Sequence, residues 1–145
     1  MIVVERASEE DLPDIFEIDQ LTMGDDSRRD YLIKSVIDRH MLVARRGFQR
    51  LGFAVVNRAF FEQVFIALLV VHPDHRRQGI GSALMTYAEK TCPEPKLFTS
   101  TNASNSIMQA LLTVRGYRRS GSVENLDPGD PELIYVRFLG DSSPT

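Results

Sequence analysis

The chain has 145 residues, of which 43% are hydrophobic and 26% are charged, and its formal net charge is −3. This length suits one globular domain with a sizeable core, which we predict over residues 1–140, with a short tail at 141–145. The acidic balance argues against a general nucleic-acid binder, whose affinity would depend on neutralising phosphates with Lys and Arg. The single cysteine, Cys92, excludes an internal disulfide and a cysteine-based zinc cluster, and no metal site is predicted.

Two further features of the sequence concern location. No apolar run approaches the length of about 18 residues that a membrane span requires. The segment Met1–Arg6 also lacks the basic-then-apolar order of a signal peptide. We therefore expect a cytoplasmic protein that does not bind membranes.

The N-terminal part of the chain predicts a strand followed by two helices. Residues 2–5 form a short apolar strand. Ser8 and Asp11 have the spacing of a capping box, in which each residue satisfies a free amide of the other, and apolar residues at near-helical spacing follow from Leu12. A second apolar stripe predicts a helix over 27–39.

The rest of the chain alternates between strand and helix patterns. Prolines after residue 92 end the first of the later helices, and Gly116 ends the second. The predicted strands are 41–45, 51–57, 61–71, 96–101, 117–123 and 133–139, and the predicted helices are 79–91 and 104–115. This order predicts an α/β fold with a mixed, mostly antiparallel sheet of six or seven strands and four helices.

The most informative segment joins the predicted strand 61–71 to the predicted helix 79–91. Its turn carries Arg76 and Arg77 for positive charge, and Gly79 and Gly81 for close approach of the backbone to a ligand. The helix that follows presents free amides and the positive end of its dipole, which favours a bound phosphate. The pattern is not a Walker A motif, and Leu84 replaces the third glycine of a dinucleotide fingerprint.

The residue order Arg76-x-x-Gly79-x-Gly81 follows a strand with Leu69, Val71 and Pro73 at its end. Farther along, Asn105 opens a helix that ends at Gly116-Tyr117. In both elements the chain resembles the GNAT superfamily of N-acetyltransferases. The resemblance implies a GNAT-type fold in which the central strand and the strand 96–101 are parallel and splay apart, with acetyl-CoA as the cosubstrate between them.

The resemblance also implies which residues bind acetyl-CoA. Backbone groups of the central strand would pair with the pantetheine amides, and amides from Arg77 to Ser82 would hold the pyrophosphate. Asn105 would lie near the pantetheine or the thioester, unless it only caps its helix; Ser82 has a similar structural alternative. The full predicted set is Leu69, Val70, Val71, Arg76, Arg77, Gln78, Gly79, Ile80, Gly81, Ser82 and Asn105, and the side chain of Ile80 is expected to face the core.

The catalytic residues do not follow the family pattern. Family members commonly carry a Tyr that acts as the acid at the position of Leu112, and some relatives carry a catalytic Glu at the position of Phe65 or Ser100. Three weak candidates remain, each with a structural alternative. Glu62 and Ser100 could border the predicted gap between the strands, although Glu62 fits a solvated charge; Tyr117 could reach the site but also fits a core position.

The implied function is transfer of an acetyl group from acetyl-CoA to a primary amine of a small molecule or a peptide, by direct attack on the thioester. A longer acyl donor remains open. The alternative is an acyl-CoA-binding sensor module without catalysis, because the usual Tyr and Glu are missing. An acidic segment, 124–132, could attract a cationic acceptor or form only a soluble turn, and the mixed charges at 25–29 are a second candidate rim. A homodimer is left open.

Overall fold

The computed structural model describes residues 1–140 and contains seven strands and four α-helices. Its strands are β1 (Val3–Arg6), β2 (Met41–Arg46), β3 (Gln49–Phe60), β4 (Gln63–Val71), β5 (Lys96–Asn102), β6 (Arg118–Val123) and β7 (Glu132–Phe138). Its helices are α1 (Leu12–Met23), α2 (Arg29–Ile37), α3 (Ile80–Thr91) and α4 (Ser106–Val114). The predicted tail, 141–145, lies outside the described residues. Every predicted element is present, and most ends shift by one or two residues.

The strands form one mixed sheet in the order β1-β2-β3-β4-β5-β7-β6. Strands β4 and β5 are parallel, with Phe65 opposite Phe98 and Ile66 opposite Thr99. The neighbouring pair β5 and β7 is antiparallel over the whole of β5. This arrangement confirms the predicted fold class, and the sheet has seven strands rather than six.

Contacts between α-carbons divide the chain into two compact units. The first comprises residues 1–57 and 68–91, and the second comprises 58–67 and 92 onwards. The assignment of residues 1–140 to a single domain therefore stays a prediction. No helix within residues 1–140 combines the length and the apolar character that crossing a membrane would require.

In the first unit, α3 packs closely against β3 at Gly52. A Cβ atom at position 52 would lie 2.6 Å from the carbonyl oxygen of Val70 and 3.1 Å from Cγ2 of Ile80. Both distances are shorter than ordinary van der Waals contact, so only glycine fits there without displacing the helix or the strand. The side chain of Ile80 is buried, as the sequence predicts, and that of Leu84 is buried as well.

The capping box at Ser8 and Asp11 is confirmed, and it has a second role. The Ser8 amide donates a hydrogen bond to Oδ2 of Asp11 over 2.8 Å. The other carboxylate oxygen, Oδ1, accepts from Nε of Arg50 over 2.9 Å. Asp11 is buried, so the residue that caps the turn before α1 also anchors that turn to β3.

The predicted start of the central strand at Phe61 is wrong. Strand β3 runs to Phe60, and Phe61 and Glu62 form the two-residue turn before β4. Both turn residues have positive φ, at 49° and 62°, which is the backbone of a two-residue hairpin turn. Such turns usually contain Asn-Gly. Because Phe61-Glu62 is not a typical sequence for this turn, the sequence did not predict it.

Glu62→Gly should stabilise the protein, because glycine adopts a positive φ without the steric cost that a side chain brings. The expected gain in the free energy of unfolding is about 0.5–1 kcal/mol, after allowance for the added flexibility of the unfolded chain. Urea unfolding of the two proteins measures it. Glu62→Ala is the matched control, since it removes the carboxylate and keeps the Cβ; an equal gain in that variant would assign the effect to charge.

Candidate functional site

The candidate phosphate site lies at the turn between β4 and α3, within the first unit. After Val71 the chain makes a short 3-10 turn over Pro73–His75, and α3 begins at Ile80. The backbone amide of Asp74 donates to Nδ1 of His72 over 3.1 Å, which closes the turn. The four residues that follow His75 are exposed and precede the helix directly.

Two residues of this turn have left-handed backbones. The φ angles are 64° at Arg77 and 81° at Gly79, and a Cβ at Gly79 would meet nothing within 4 Å. The space beside the turn is therefore open, and the backbone is exposed where a ligand could reach it. Consecutive backbone amides in such a turn can form a concave anion site.

The first turn of α3 supplies further donors. Its first intrahelical bond runs from the Ala83 amide to the carbonyl of Gly79, over 3.0 Å. The amides of Ile80, Gly81 and Ser82 precede it and have no partner inside the helix. Free amides and the positive end of a helix dipole are the chemistry that a pyrophosphate needs, so the residues present fit that group.

Positive charge at this turn is not neutralised by the protein. Among residues 1–140, no ion pair joins Arg76 or Arg77 to a carboxylate, whereas Arg45 and Arg50 are both paired. The turn is also tied to the β2–β3 hairpin: Arg46 donates to Oε1 of Gln78 over 3.3 Å. Both arginines at 76 and 77 are exposed and available to an anion.

The predicted strand residues lie close to this helix end. A Cβ at Gly81 would lie 3.7 Å from Cγ2 of Val71 and 4.0 Å from Cδ2 of Leu69, so both side chains face α3. Val70 is buried on the other face of β4, and Ile80 is buried in the core. These last two residues can therefore offer a ligand only backbone groups.

In the second unit, Asn105 is the N-cap of α4. Its Oδ1 accepts a hydrogen bond from the Met108 amide over 3.1 Å. This is the capping role that the sequence left open, and it occupies the side-chain oxygen. A role of Asn105 in binding acetyl-CoA stays a prediction.

The three weak catalytic candidates lie in different surroundings. Glu62 is exposed in the β3–β4 turn, and Ser100 is half-buried on β5, opposite Ile134. Tyr117 is only 4% exposed, which fits the core position that the sequence offered as its alternative. Leu112, where the stated resemblance leads one to expect Tyr, is fully buried.

Two carboxylates of the acidic segment 124–132 form hydrogen bonds with neighbouring residues of the second unit. Asp127 accepts from the side-chain amide of Asn102 over 2.9 Å. Asp130 accepts from both the backbone amide and the hydroxyl of Ser104, over 2.9 and 2.6 Å. These bonds tie the segment to the end of β5 and to the loop before α4, so a structural role accounts for both residues.

The mixed charges between α1 and α2 are also largely satisfied within the first unit. Arg28 pairs with the buried Asp19, and the guanidinium of Arg29 lies 4.3 Å from the ring centre of Phe16. Hydrogen bonds from Ser27 hold the pKa of Asp25 below its usual value. This rim therefore offers few unsatisfied charges to an acceptor.

One polar contact of the first unit was not foreseen from the sequence. The hydroxyl of Tyr31 on α2 accepts a hydrogen bond from Nδ2 of Asn57 on β3, over 3.4 Å. The two residues are 26 positions apart, and neither belongs to a recognisable motif. Only the packing of α2 on the sheet brings them together.

Residues 6–117 match the model of the family described as acetyltransferase (GNAT) family. The chain belongs to the GNAT acetyltransferase family. This confirms the resemblance that the two motifs indicate. The predicted enzyme class, an acetyl-CoA-dependent acetyltransferase, and the predicted cosubstrate are those of the family.

Individual relatives agree with this membership. A GNAT-family acetyltransferase from Bacillus cereus ATCC 10987 is 38% identical, with a TM-score of 0.92 over 97% of this chain and 99% of that one. The mycothiol acetyltransferase of Parafrankia sp. (strain EAN1pec) is 34% identical over 98 residues, which are 63% of this chain and 30% of that protein. The matched region thus spans less than a third of the length of this curated relative.

A more distant structure shares the fold. The protein yncA from Salmonella typhimurium, solved with its cofactor acetyl-CoA, has a TM-score of 0.79 and covers 99% of this chain and 96% of that one. Its identity is 14%, so this likeness concerns the fold alone.

Gly81→Asp should weaken CoA binding at least about tenfold, because it places a carboxylate beside the free amides at the start of α3. The site has room for a side chain, since the nearest atoms to a Cβ there are at ordinary contact distance. Calorimetric titration of CoA measures the change. Gly81→Asn is the control of equal size without the charge; equal losses in both folded variants would contradict an electrostatic effect.

Proposed function

We propose that this protein transfers an acetyl group from acetyl-CoA to a primary amine of a small molecule or a peptide. The observation that carries the proposal is the turn from Arg76 to Ser82, where left-handed backbone, the first amides of α3 and two exposed arginines that form no ion pair within residues 1–140 lie together. Family membership supports the donor, because the residues that match the family, 6–117, include this turn.

In this proposal the residues of the turn bind and orient the donor. Backbone amides from Arg77 to Ser82 hold the pyrophosphate, and Arg76 adds charge. Backbone groups of Leu69 and Val71 pair with the amides of the pantetheine arm, as an added strand would. The acetyl thioester supplies the electrophile when acetyl-CoA is bound.

The proposed attack requires a neutral amine at the thioester. A lysine-like amine, with a pKa of about 10.4, is mostly protonated at neutral pH, so a proton must leave before attack. Holding the two reactants together in a productive geometry can supply much of the acceleration. Water is the proposed acceptor of the amine proton. The catalytic roles of Glu62, Ser100 and Tyr117 stay predictions.

The second candidate function is an acyl-CoA sensor that binds the donor without turning it over. The specific observation in its favour is the buried Leu112, an apolar residue at the position where family members commonly carry the acid. Both candidates use the same turn, so binding alone does not distinguish them. The acceptor, the cytoplasmic location and a homodimer stay predictions.

Acetyl-CoA should bind to the protein, and the protein should acetylate one class of amine. The classes to be tested are polyamines, amino acids, aminoglycosides and peptides that carry a free amine. The measurement is acetylated product by mass spectrometry, beside release of CoA thiol. Burial raises the pKa of the Cys92 thiol, which slows its reaction with thiol reagents and keeps the background low. Binding without product on any amine would instead favour the sensor.

A further inference from the structure

The end of the β2–β3 hairpin lies against the turn between β4 and α3. Arg46 and Gln49 are opposite each other where β2 pairs with β3, so their side chains share one face of the hairpin. Arg46 donates to Oε1 of Gln78 over 3.3 Å. On the same face, Nε2 of Gln49 lies 3.1 Å from Nε2 of His75, which is hydrogen-bond distance. These contacts lie within the first unit and place the Arg46 guanidinium at the turn.

Arg46 differs from its arginine neighbours in having no carboxylate partner within residues 1–140. Arg45 and Arg50 each pair with a carboxylate, over 2.8 and 2.9 Å. Arg46 is exposed, and both terminal nitrogens of its guanidinium contact the neutral Oε1 of Gln78, at 3.4 and 3.3 Å. A guanidinium has five N–H donors, so these long bonds leave the charge and further donors available to an anion.

The backbone that carries Arg46 is held in place by the neighbouring arginines. Nη1 of Arg45 donates to the carbonyl of Gly47 over 3.0 Å. Nη1 of Arg50 donates to the carbonyl of Phe48 over 2.9 Å. Because both residues at the hairpin tip are fixed in this way, binding of an anion by Arg46 requires little further ordering of the hairpin.

The chemistry of the proposed donor includes a phosphate that the turn residues do not account for. In the proposed function, backbone amides from Arg77 to Ser82 hold the pyrophosphate, and Arg76 adds charge. CoA also carries a phosphate monoester, with a charge of about −1.5 to −2 at neutral pH. The monoester and the pyrophosphate are attached to the same ribose, so the two groups are separated by one sugar. Arg46 reaches the turn from a different element and can bind the monoester while the amides hold the pyrophosphate.

We propose that Arg46 binds the phosphate monoester of the donor, so that the site selects CoA over dephospho-CoA, which lacks this group. The inference rests on the proposed function for the identity of the donor. The planar guanidinium can donate to two phosphate oxygens at once, and hydrogen bonds between charged groups are stronger than neutral ones. In the free protein, Gln78 holds the guanidinium beside the turn.

Arg46→Gln tests the assignment, because it removes the charge and keeps a polar side chain. In calorimetric titrations the unmodified protein should bind CoA about tenfold more tightly than dephospho-CoA. In Arg46→Gln the Kd for CoA should rise about tenfold, whereas the Kd for dephospho-CoA should change less than about twofold. Equal losses with both ligands at an unchanged melting temperature would overturn the proposal, and so would equal affinity of the unmodified protein for the two ligands.

Arg39→Gln is the matched control, because it makes the same change of charge at another exposed arginine of the first unit. Arg39 also forms no ion pair within residues 1–140. It precedes β2, whereas Arg46 is the last residue of that strand, so about 17 Å of strand separates the two positions. The Kd values of Arg39→Gln should stay within about twofold of those of the unmodified protein. A loss of CoA affinity equal to that of Arg46→Gln would assign the effect to net charge and overturn the proposal.

The titrations contain no amine, so they separate failure of this inference from failure of the proposed function. If the unmodified protein acetylates an amine but binds CoA and dephospho-CoA equally tightly, only the role of Arg46 is overturned. If it selects CoA through Arg46 but acetylates no amine, acetyl transfer is overturned and the binding role of Arg46 stands. If it binds neither ligand, both proposals are overturned.

Discussion

The close approach of α3 to β3 at Gly52 is the constraint on which the candidate site depends. The absence of a side chain lets Ile80 pack within van der Waals contact of the strand, and Ile80 is the first residue of the helix. Because the helix start is held there, the amides of Gly81 and Ser82 remain beside the end of β4. A larger residue at 52 would displace the helix end that carries the proposed phosphate donors.

The distribution of charge in the first unit supports the same site. Arg28, Arg45 and Arg50 are each paired with a carboxylate, and the pairs of Arg28 and Arg50 involve a buried aspartate. These pairs join helices and strands of the unit. Among residues 1–140, Arg76 and Arg77 form no such ion pair, so the turn presents positive charge to an anion.

The buried position of Leu112 suits an apolar residue rather than the Tyr that the family commonly carries there. The side chain is fully buried, and its carbonyl accepts from the Tyr117 amide over 3.0 Å where the helix ends. An apolar residue suits this packing, whereas a buried phenol would require a partner for its hydroxyl. Leu112 therefore serves the packing and the end of α4.

The sequence by itself determined the features that are local in the chain. The phosphate turn could be predicted because a strand, two arginines, two glycines and a helix follow one another directly, and the capping box at Ser8 for the same reason. Tertiary structure decided what depends on distant residues. Phe61 and Glu62 form a turn that their residue types do not favour. Asp130 accepts a hydrogen bond from Ser104, and Tyr31 accepts one from Asn57 because α2 packs on the sheet. Side chains far apart in the chain come into contact only when packing of the core brings their elements together. The spacing of residues in the sequence therefore does not predict such contacts.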